Sequence, residues 1–223
     1  MIKNVIFDFG CVLLYWDQHN LYDPYFGSRN KTNWFIDNIC TWEWNNLTDI
    51  GIPIAQVTAE KIAEFPEWEK EIRMYWDEWE KMIGGAVEGM EQWITQLKLD
   101  GYRIYGLSNW SSETFPLVKD KYPVFAMMDG IVISGEEKIG KPNLLLYQRL
   151  LDRYSLNANE CVFIDDRQVN IDAGEKLGIK GILFQSCEQA QLEFATLLLS
   201  TKNIEHDHQN YQQKRFSYRP YSF

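Results

Sequence analysis

Residues 3–14, KNVIFDFGCVLL, place an aspartate directly after a short apolar run and a glycine two positions later. Val5, Ile6 and Phe7 are apolar on both faces of any strand they form, which is typical of a central strand in a parallel sheet. Burying a charge at the end of such a strand is costly. Asp8 is therefore a candidate functional residue, although an aspartate can also cap a helix or a turn.

Further apolar runs predict other strands of the same sheet. They are RIYGL before Ser108, GIVI before Ser134, CVFI before Asp165, and GILF at residues 181–184. Helical patterns separate several of these runs, at Glu88–Leu99, Asn143–Tyr154 and Val169–Leu177. Alternating strands and helices predict an α/β fold, with a doubly wound, parallel, Rossmann-like sheet as its core.

Residues 16–84 interrupt this alternation. The segments 33–47 and 63–85 have a helical pattern, are rich in tryptophan and show no strand pattern. We predict that residues 16–84 form an inserted α-helical cap domain, hinged near Trp16 and near Gly84-Gly85. Residues 1–15 and 85–200 would form the core domain, and residues 201–223 a mobile tail or a strap across the surface.

The composition limits the possible ligands and the location of the protein. The 223-residue chain has a net charge of −10, which predicts no binding to nucleic acid or to an anionic membrane. The four cysteines form neither a CxxC pair nor a zinc-binding spacing, so we expect free thiols. No apolar run is long enough to span a membrane and no leader sequence is visible. We expect a cytoplasmic monomer or dimer.

Polar side chains follow the predicted strands, and the carboxyl ends of parallel strands meet at one edge of a sheet. The polar set consists of Asp8, Ser108, Asn109, Lys141, Asp165 and Asp166. Carboxylates suit Mg²⁺, donors and an ammonium group suit phosphate oxygens, and an aspartate can attack phosphorus. Each member also has a purely structural alternative: the Ser-Asn pair could cap a helix, the lysine could be solvated, and the acid pair could begin a helix.

Together these stretches carry a resemblance to a known family. VIFDFGCVL, GLSNW, GKPNLLLY and VFIDDRQVNIDA resemble, in order, the four motifs of the haloacid dehalogenase-like (HAD) superfamily. The resemblance covers nearly the whole chain to about residue 200, and the insert lies where helical C1-type caps occur. It implies a magnesium-dependent phosphatase that acts on a small phosphorylated metabolite through an aspartyl-phosphate.

The resemblance also implies a role for each matched residue. Asp8 would be the nucleophile, Ser108 and Asn109 would bind phosphate, and Lys141 would neutralise charge on the nucleophile and the phosphoryl group. The implied Mg²⁺ ligands are Asp8, the backbone carbonyl of Gly10, Asp165 and Asp166. Asn170 lies where a polar residue that supports the acid pair is expected.

Three further side chains are assigned from their positions alone. Arg167 directly follows the acid pair, and we expect it to form an ion pair with those acids rather than to bind substrate. Trp16, near the predicted hinge, and Trp110, beside the Ser-Asn pair, are candidates for the substrate pocket.

Gly10 departs from the usual pattern of this family, in which a second aspartate protonates the leaving oxygen and then activates water. Such proton transfer contributes about 10²–10⁴-fold in rate. A similar D-x-G start occurs in a branch that includes sugar-phosphate phosphatases, which makes a sugar phosphate one example of the expected substrate class. Two alternatives remain: a metal-free 2-haloacid dehalogenase, against which Asp165-Asp166 argues, and a catalytically weak phosphate-binding protein. The sequence does not identify a replacement for the missing acid.

Overall fold

The computed structural model describes residues 1–200, and it confirms the predicted α/β architecture. The strands of this part of the chain are β1 (Asn4–Phe7), β2 (Leu14–Trp16), β3 (Ile83–Ala86), β4 (Arg103–Ser108), β5 (Gly130–Ile133), β6 (Cys161–Asp165) and β7 (Lys180–Leu183). Within it, five strands form a parallel sheet in the order β5-β4-β1-β6-β7. The tail predicted over residues 201–223 lies outside the described residues.

Helices cover the sheet and fill the insert. Those of the insert are α1 (His19–Phe26), α2 (Arg29–Asn38), α3 (Trp42–Asp49), α4 (Ile54–Glu64) and α5 (Glu69–Asp77), with 3₁₀ turns at Pro66–Trp68 and Trp79–Met82. The others are α6 (Met90–Leu99), α7 (Phe115–Lys119), α8 (Pro123–Ala126), α9 (Ser134–Glu137), α10 (Leu144–Arg153) and α11 (Gln168–Glu175), with a 3₁₀ turn at Ala158–Glu160. Residues 187–200 are also helical. The helices predicted from sequence after residue 87 correspond to α6, α10 and α11.

The first strand occupies the centre of the sheet, as its apolar sequence predicts. It pairs in parallel with β4 on one side and with β6 on the other, and all its residues are buried. Val5 and Phe7 pack into one hydrophobic cluster, whereas Ile6 packs into a second one. Because neighbouring side chains of a strand point to opposite faces, β1 is covered on both sides.

The topology places the carboxyl end of β1 at the point where the strand order reverses. The chain proceeds from β1 to β4 and β5 on one side, and then crosses to β6 and β7 on the other. Ligands of open α/β sheets bind in the crevice at such a point. Asp8 is the residue that directly follows β1 there.

The insert differs from its prediction at both ends. Residues 16–84 were expected to contain no strand, but β2 ends at Trp16 and β3 begins at Ile83, and the two form an antiparallel pair. This expectation was wrong because each strand is only three or four residues long. Two of the residues of β3 are glycines, so no alternating pattern marks it. The division into a cap and a core domain stays a prediction.

No helix within residues 1–200 combines the length and the apolar character needed to cross a lipid bilayer.

Candidate active site

Asp8 follows β1, and the contacts of its side chain with neighbouring polar groups all involve one of its two carboxylate oxygens. Its Oδ1 accepts hydrogen bonds from the Ser108 hydroxyl at 2.8 Å and from the backbone N–H of Phe9 at 2.6 Å. The ammonium group of Lys141 lies 2.9 Å from the same oxygen. Burial raises the pKa of Asp8 to about 7, although the charge of Lys141 opposes the shift. These contacts fix the carboxylate and leave Oδ2 as the oxygen available for reaction.

Lys141 is a buried bridge between two strand ends, not a solvated loop residue. Its side chain is 1% exposed, and its ammonium group lies 2.6 Å from Asp165 Oδ2 as well as beside Asp8. Burial alone would lower the pKa of Lys141, but the two carboxylates outweigh it and raise the pKa. The ammonium is therefore charged at neutral pH and is held at the carboxyl ends of β1 and β6.

The two adjacent acids after β6 have different surroundings. Asp165 is fully buried, and besides Lys141 its carboxylate accepts hydrogen bonds from the Asn170 amide at 2.9 Å and from the Arg167 backbone N–H at 2.8 Å. Asp166 lines the cavity above the strand ends. Partial burial and then the charge of Asp165 raise the pKa of Asp166. Asp165 therefore mainly orients Lys141, whereas Asp166 has its carboxylate available.

The donor set fits a magnesium ion. Asp8, Asp165 and Asp166 each offer a carboxylate oxygen, and these oxygens lie within 4.8 Å of one another. Hard oxygen ligands of this kind are those that Mg²⁺ prefers, usually together with waters and substrate phosphate. Lys141 compensates only part of the negative charge, so the cluster favours a divalent cation. Gly10, whose backbone carbonyl the family resemblance implies as a ligand of the same ion, lines the same cavity.

The two residues of the Ser-Asn pair after β4 contact different groups. Ser108 binds Asp8, as described above. Asn109 bridges the loop that carries Lys141: its amide donates to the Lys141 carbonyl at 3.0 Å, and its Oδ1 accepts from the Lys141 N–H at 2.7 Å. Asn109 also lines the cavity. This side chain thus positions the lysine, a contact that the sequence did not predict.

The two residues expected to support the acid pair do so to different degrees. Asn170 donates to both oxygens of Asp165, at 2.9 and 3.1 Å. The Arg167 guanidinium instead lies over the ring of Trp42 in α3, 5.8 Å from the ring centre. Within residues 1–200 it forms no ion pair with either acid inside 4 Å, so the ion pair expected from sequence is not found. The long side chain contacts the insert, and only its backbone binds the acid pair.

A cavity of about 110 Å³ lies between the strand ends and the insert. Asp8, Lys141 and Asp166 line its floor, and Trp16 and Trp110, the two expected pocket residues, both line it. Further indoles of the insert complete the wall, namely Trp42, Trp76 and Trp79. The Trp76 N–H is buried and has no hydrogen-bond partner among the described residues. The cavity thus combines a charged floor with a largely aromatic wall.

Asp49 is the acid that the sequence analysis missed. It is the last residue of α3, is 7% exposed and lines the same cavity as Asp8. Its carboxylate accepts a hydrogen bond from the Asn45 amide at 3.3 Å. Burial and then the charge of Asp8 raise the pKa of Asp49 to about 7. An acid at a helix C-terminus opposes the helix dipole, which is the one signal that could have revealed it.

Two curated proteins match part of the chain. The curated sesquiterpene phosphatase astK of Aspergillus oryzae is 28% identical over 93 residues, which cover 42% of this chain and 47% of that protein. Flavin mononucleotide hydrolase 1 of Arabidopsis thaliana is 22% identical over 111 residues, which cover 50% of this chain and 45% of that protein. The chain therefore spans less than half the length of these curated relatives.

Solved structures share the fold over most of the chain. A HAD family enzyme from Bacteroides thetaiotaomicron, in complex with magnesium and inorganic phosphate, has a TM-score of 0.63 and 21% identity, covering 84% of this chain and 96% of that one. L-2-haloacid dehalogenase from Xanthobacter autotrophicus has a TM-score of 0.59 and 12% identity, covering 85% and 80%. At these identities the likeness concerns the fold alone. The family model for haloacid dehalogenase-like hydrolases matches residues 2–178, and the chain belongs to that family.

Proposed function

We propose that this hydrolase is a magnesium-dependent phosphatase that forms an aspartyl-phosphate on Asp8. The observation that carries the proposal is the arrangement at the end of β1. Asp8 is anchored through Oδ1 alone, with a buried lysine beside it and three carboxylate oxygens within 4.8 Å of one another. A nucleophile, a cation site and a fixed positive charge therefore meet at one point, as phosphoryl transfer requires.

In the proposed mechanism, each residue of the site has a separate role in substitution at phosphorus. Lys141 and the second N–H of the Asn109 amide would bind phosphate oxygens, together with the Ser108 hydroxyl once it turns from Asp8 to the substrate. Mg²⁺ held by Asp8, Asp166, Asp165 and the Gly10 carbonyl would neutralise further charge. Asp8 Oδ2 attacks phosphorus, and the bond to the leaving oxygen breaks. Water then attacks the aspartyl-phosphate, which releases inorganic phosphate and regenerates the Asp8 carboxylate.

The proposed substrate is a small phosphate monoester whose organic part has an apolar surface. Phosphate would lie on the charged floor, so the organic part would lie among the indoles of the insert. Sugar rings stack on indoles through their C–H faces, and a sugar phosphate is the first class to test. A prenyl phosphate is the second, because its chain is apolar throughout and because one curated relative is a sesquiterpene phosphatase.

The insert is proposed to act as a cap. Its helix α3 contacts the core near the site, where the Ser134 hydroxyl donates to the Asp49 carbonyl and Arg167 lies over Trp42. The Ile54 N–H, at the start of α4, donates to the Glu113 carboxylate at 2.8 Å. Closure of such an insert excludes water from the reacting phosphate and selects the organic part of the substrate.

The test is release of inorganic phosphate from 4-nitrophenyl phosphate and from a panel of sugar and prenyl phosphates, with Mg²⁺ and with EDTA. We expect turnover that requires Mg²⁺ and that Asp8→Asn abolishes. Release of halide from a 2-haloacid without metal, and no phosphate release, would overturn the proposal and favour the dehalogenase alternative. Binding of Mg²⁺ and phosphate without any turnover would overturn it in favour of a phosphate-binding protein.

A further inference from the structure

We propose that Asp49, supplied by the insert, donates the proton to the leaving oxygen and later accepts the proton from water. This inference rests on the proposed phosphatase function, and it answers the question that Gly10 raises. The position two residues after the nucleophile has no side chain, so the acid must come from another element. Within residues 1–200, Asp49 is the only carboxylate that lines the cavity from the insert.

The location of Asp49 matches this role. Asp8, Lys141 and Asp166 form the floor, so a phosphate bound there would direct its ester oxygen towards the insert. Asp49 lies on that side and is close enough to Asp8 and Lys141 for both charges to affect it. Besides Asp8, Asp166 and Lys141, the other titratable groups of the described residues that line the cavity are the Cys11 thiol, whose pKa burial raises, and the Arg167 guanidinium, and neither changes its charge near neutral pH.

Two hydrogen bonds hold Asp49 in place. The Asn45 amide donates to its carboxylate, and the Ser134 hydroxyl donates to its backbone carbonyl. Asn45 is in turn fixed by the Tyr75 hydroxyl, which donates to Asn45 Oδ1 at 2.9 Å. A proton carrier oriented by a further group is the usual arrangement in active sites.

The position of Asp49 in the fold is unfavourable for an acid. Asp49 ends α3, where a negative charge opposes the helix dipole, and its side chain is buried. Its pKa near 7 means that protonated and ionised forms are both populated at neutral pH, as an acid that becomes a base within one cycle requires. A carboxylate that costs the fold stability and faces the reacting groups is best explained by chemistry.

The proton that Asp49 loses in the first step of the cycle is replaced in the second. As Asp8 attacks and the P–O bond to the leaving group breaks, the Asp49 carboxyl gives its proton to the departing oxygen, which leaves as an alcohol. Asp49 is then a carboxylate and takes a proton from the attacking water. That water forms the new P–O bond, the bond to Asp8 breaks, and the protonated Asp49 is ready for the next substrate.

The test compares two esters that need the acid to different extents. Phenyl phosphate has a more basic leaving group than 4-nitrophenyl phosphate, so its cleavage depends more on protonation. In Asp49→Asn, kcat/KM for phenyl phosphate should fall by about 10²–10⁴-fold, and kcat/KM for 4-nitrophenyl phosphate by much less. Aspartyl-phosphate should accumulate in the variant during turnover, because water is no longer activated.

Two further variants control this measurement. Asp37→Asn removes an exposed carboxylate of the insert outside the cavity and should leave both rates unchanged. A Cβ at Gly10 would meet no heavy atom within 4 Å, so an aspartate can be placed there. Gly10→Asp combined with Asp49→Asn should recover part of the lost rate on phenyl phosphate.

The outcomes separate this inference from the proposed function. If the wild-type protein hydrolyses both esters and Asp49→Asn loses nothing, or loses equally on both, the role of Asp49 is wrong and the phosphatase stands. If the wild-type protein with Mg²⁺ hydrolyses neither these two esters nor any member of the sugar and prenyl phosphate panel, the proposed function itself is wrong. A melting temperature of Asp49→Asn at pH 8 that is no lower than that of the wild type shows that the variant is folded.

Discussion

The carboxylate of Asp49 should cost the folded protein stability at neutral and alkaline pH, and asparagine should remove that cost. Burial raises the pKa of Asp49 from 3.8 to about 7, so the folded state holds this proton more tightly than the unfolded chain. This loss of stability is absent below pH 3.8, the pKa of Asp49 in the unfolded chain. It grows as the pH rises towards the pKa in the folded protein, and it is complete above pH 7. One pKa unit is worth about 1.4 kcal/mol, so the full cost is about 4 kcal/mol.

Asp49→Asn keeps the shape of the side chain and one of its two oxygen acceptors. It loses one acceptor for the Asn45 amide, which is worth about 1 kcal/mol. We therefore expect a net gain at pH 8.5 of about 3 kcal/mol, or roughly 6–12 °C in melting temperature for a chain of this length. At pH 5 the net gain should fall below about 1 kcal/mol, because the folded wild-type protein then keeps the proton.

The assay is urea unfolding at pH 5 and pH 8.5 with EDTA present, so that no metal ion alters the charge near Asp49. Asp37→Asn serves as the control, since its exposed carboxylate should give the same small effect at both pH values. No gain in the free energy of unfolding at pH 8.5, or an equal gain at both pH values, would show that ionisation of Asp49 does not destabilise the folded protein.

Three further substitutions test other parts of the site. Lys141→Met leaves two buried carboxylates without their cation, and it should lower the free energy of unfolding at pH 7.5 by about 3–5 kcal/mol, with part of the loss recovered by Mg²⁺; an unchanged urea midpoint would contradict this. Tyr75→Phe removes the hydroxyl bound to Asn45 at 2.9 Å and should cost about 1–3 kcal/mol in thermal unfolding, whereas equal stability would mean that this contact is idle. Gly135→Ala would place a Cβ 2.5 Å from a backbone nitrogen of the loop after β4, so we expect a loss of about 1–3 kcal/mol and weaker phosphate binding by calorimetry. Gly10→Ala is its control, because that Cβ meets nothing within 4 Å, and similar losses in both variants would refute the steric argument.

The sequence predicted the sheet well because each of its strands is a short apolar run bounded by polar or turn residues. Buried strands of a parallel sheet need no partner-specific pattern, so VIF and CVFI identify β1 and β6 directly. The pairing of β2 with β3 could not be predicted in this way. It joins Leu14–Trp16 to Ile83–Ala86. Neither LYW nor IGGA alternates between polar and apolar residues in its sequence. Their pairing depends on the packing of the helices between them, which brings the two segments side by side.

The floor of the site was predictable and its wall was not. Asp8, Lys141 and Asp165 follow strands whose ends must meet at one edge, so their proximity follows from topology alone. Asp49 lies on a helix whose rotation and position depend on the packing of the whole insert. The sequence does not reveal how the helices of the insert pack. Because the chain contains many acidic residues, nothing in the sequence distinguishes Asp49 from the others. The same packing brings Arg167 over Trp42, although its place beside two acids suggests an ion pair.

The central claim is that Asp8 becomes phosphorylated during turnover, and rapid acid quenching tests it most directly. The protein is mixed with Mg²⁺ and a phosphate ester that it hydrolyses, stopped within the first turnovers, digested, and analysed by mass spectrometry. We expect one phosphoryl group on the peptide that contains Asp8, absent with EDTA and absent in Asp8→Asn. Turnover without any phosphorylated peptide, or with phosphate on another residue, would contradict the account.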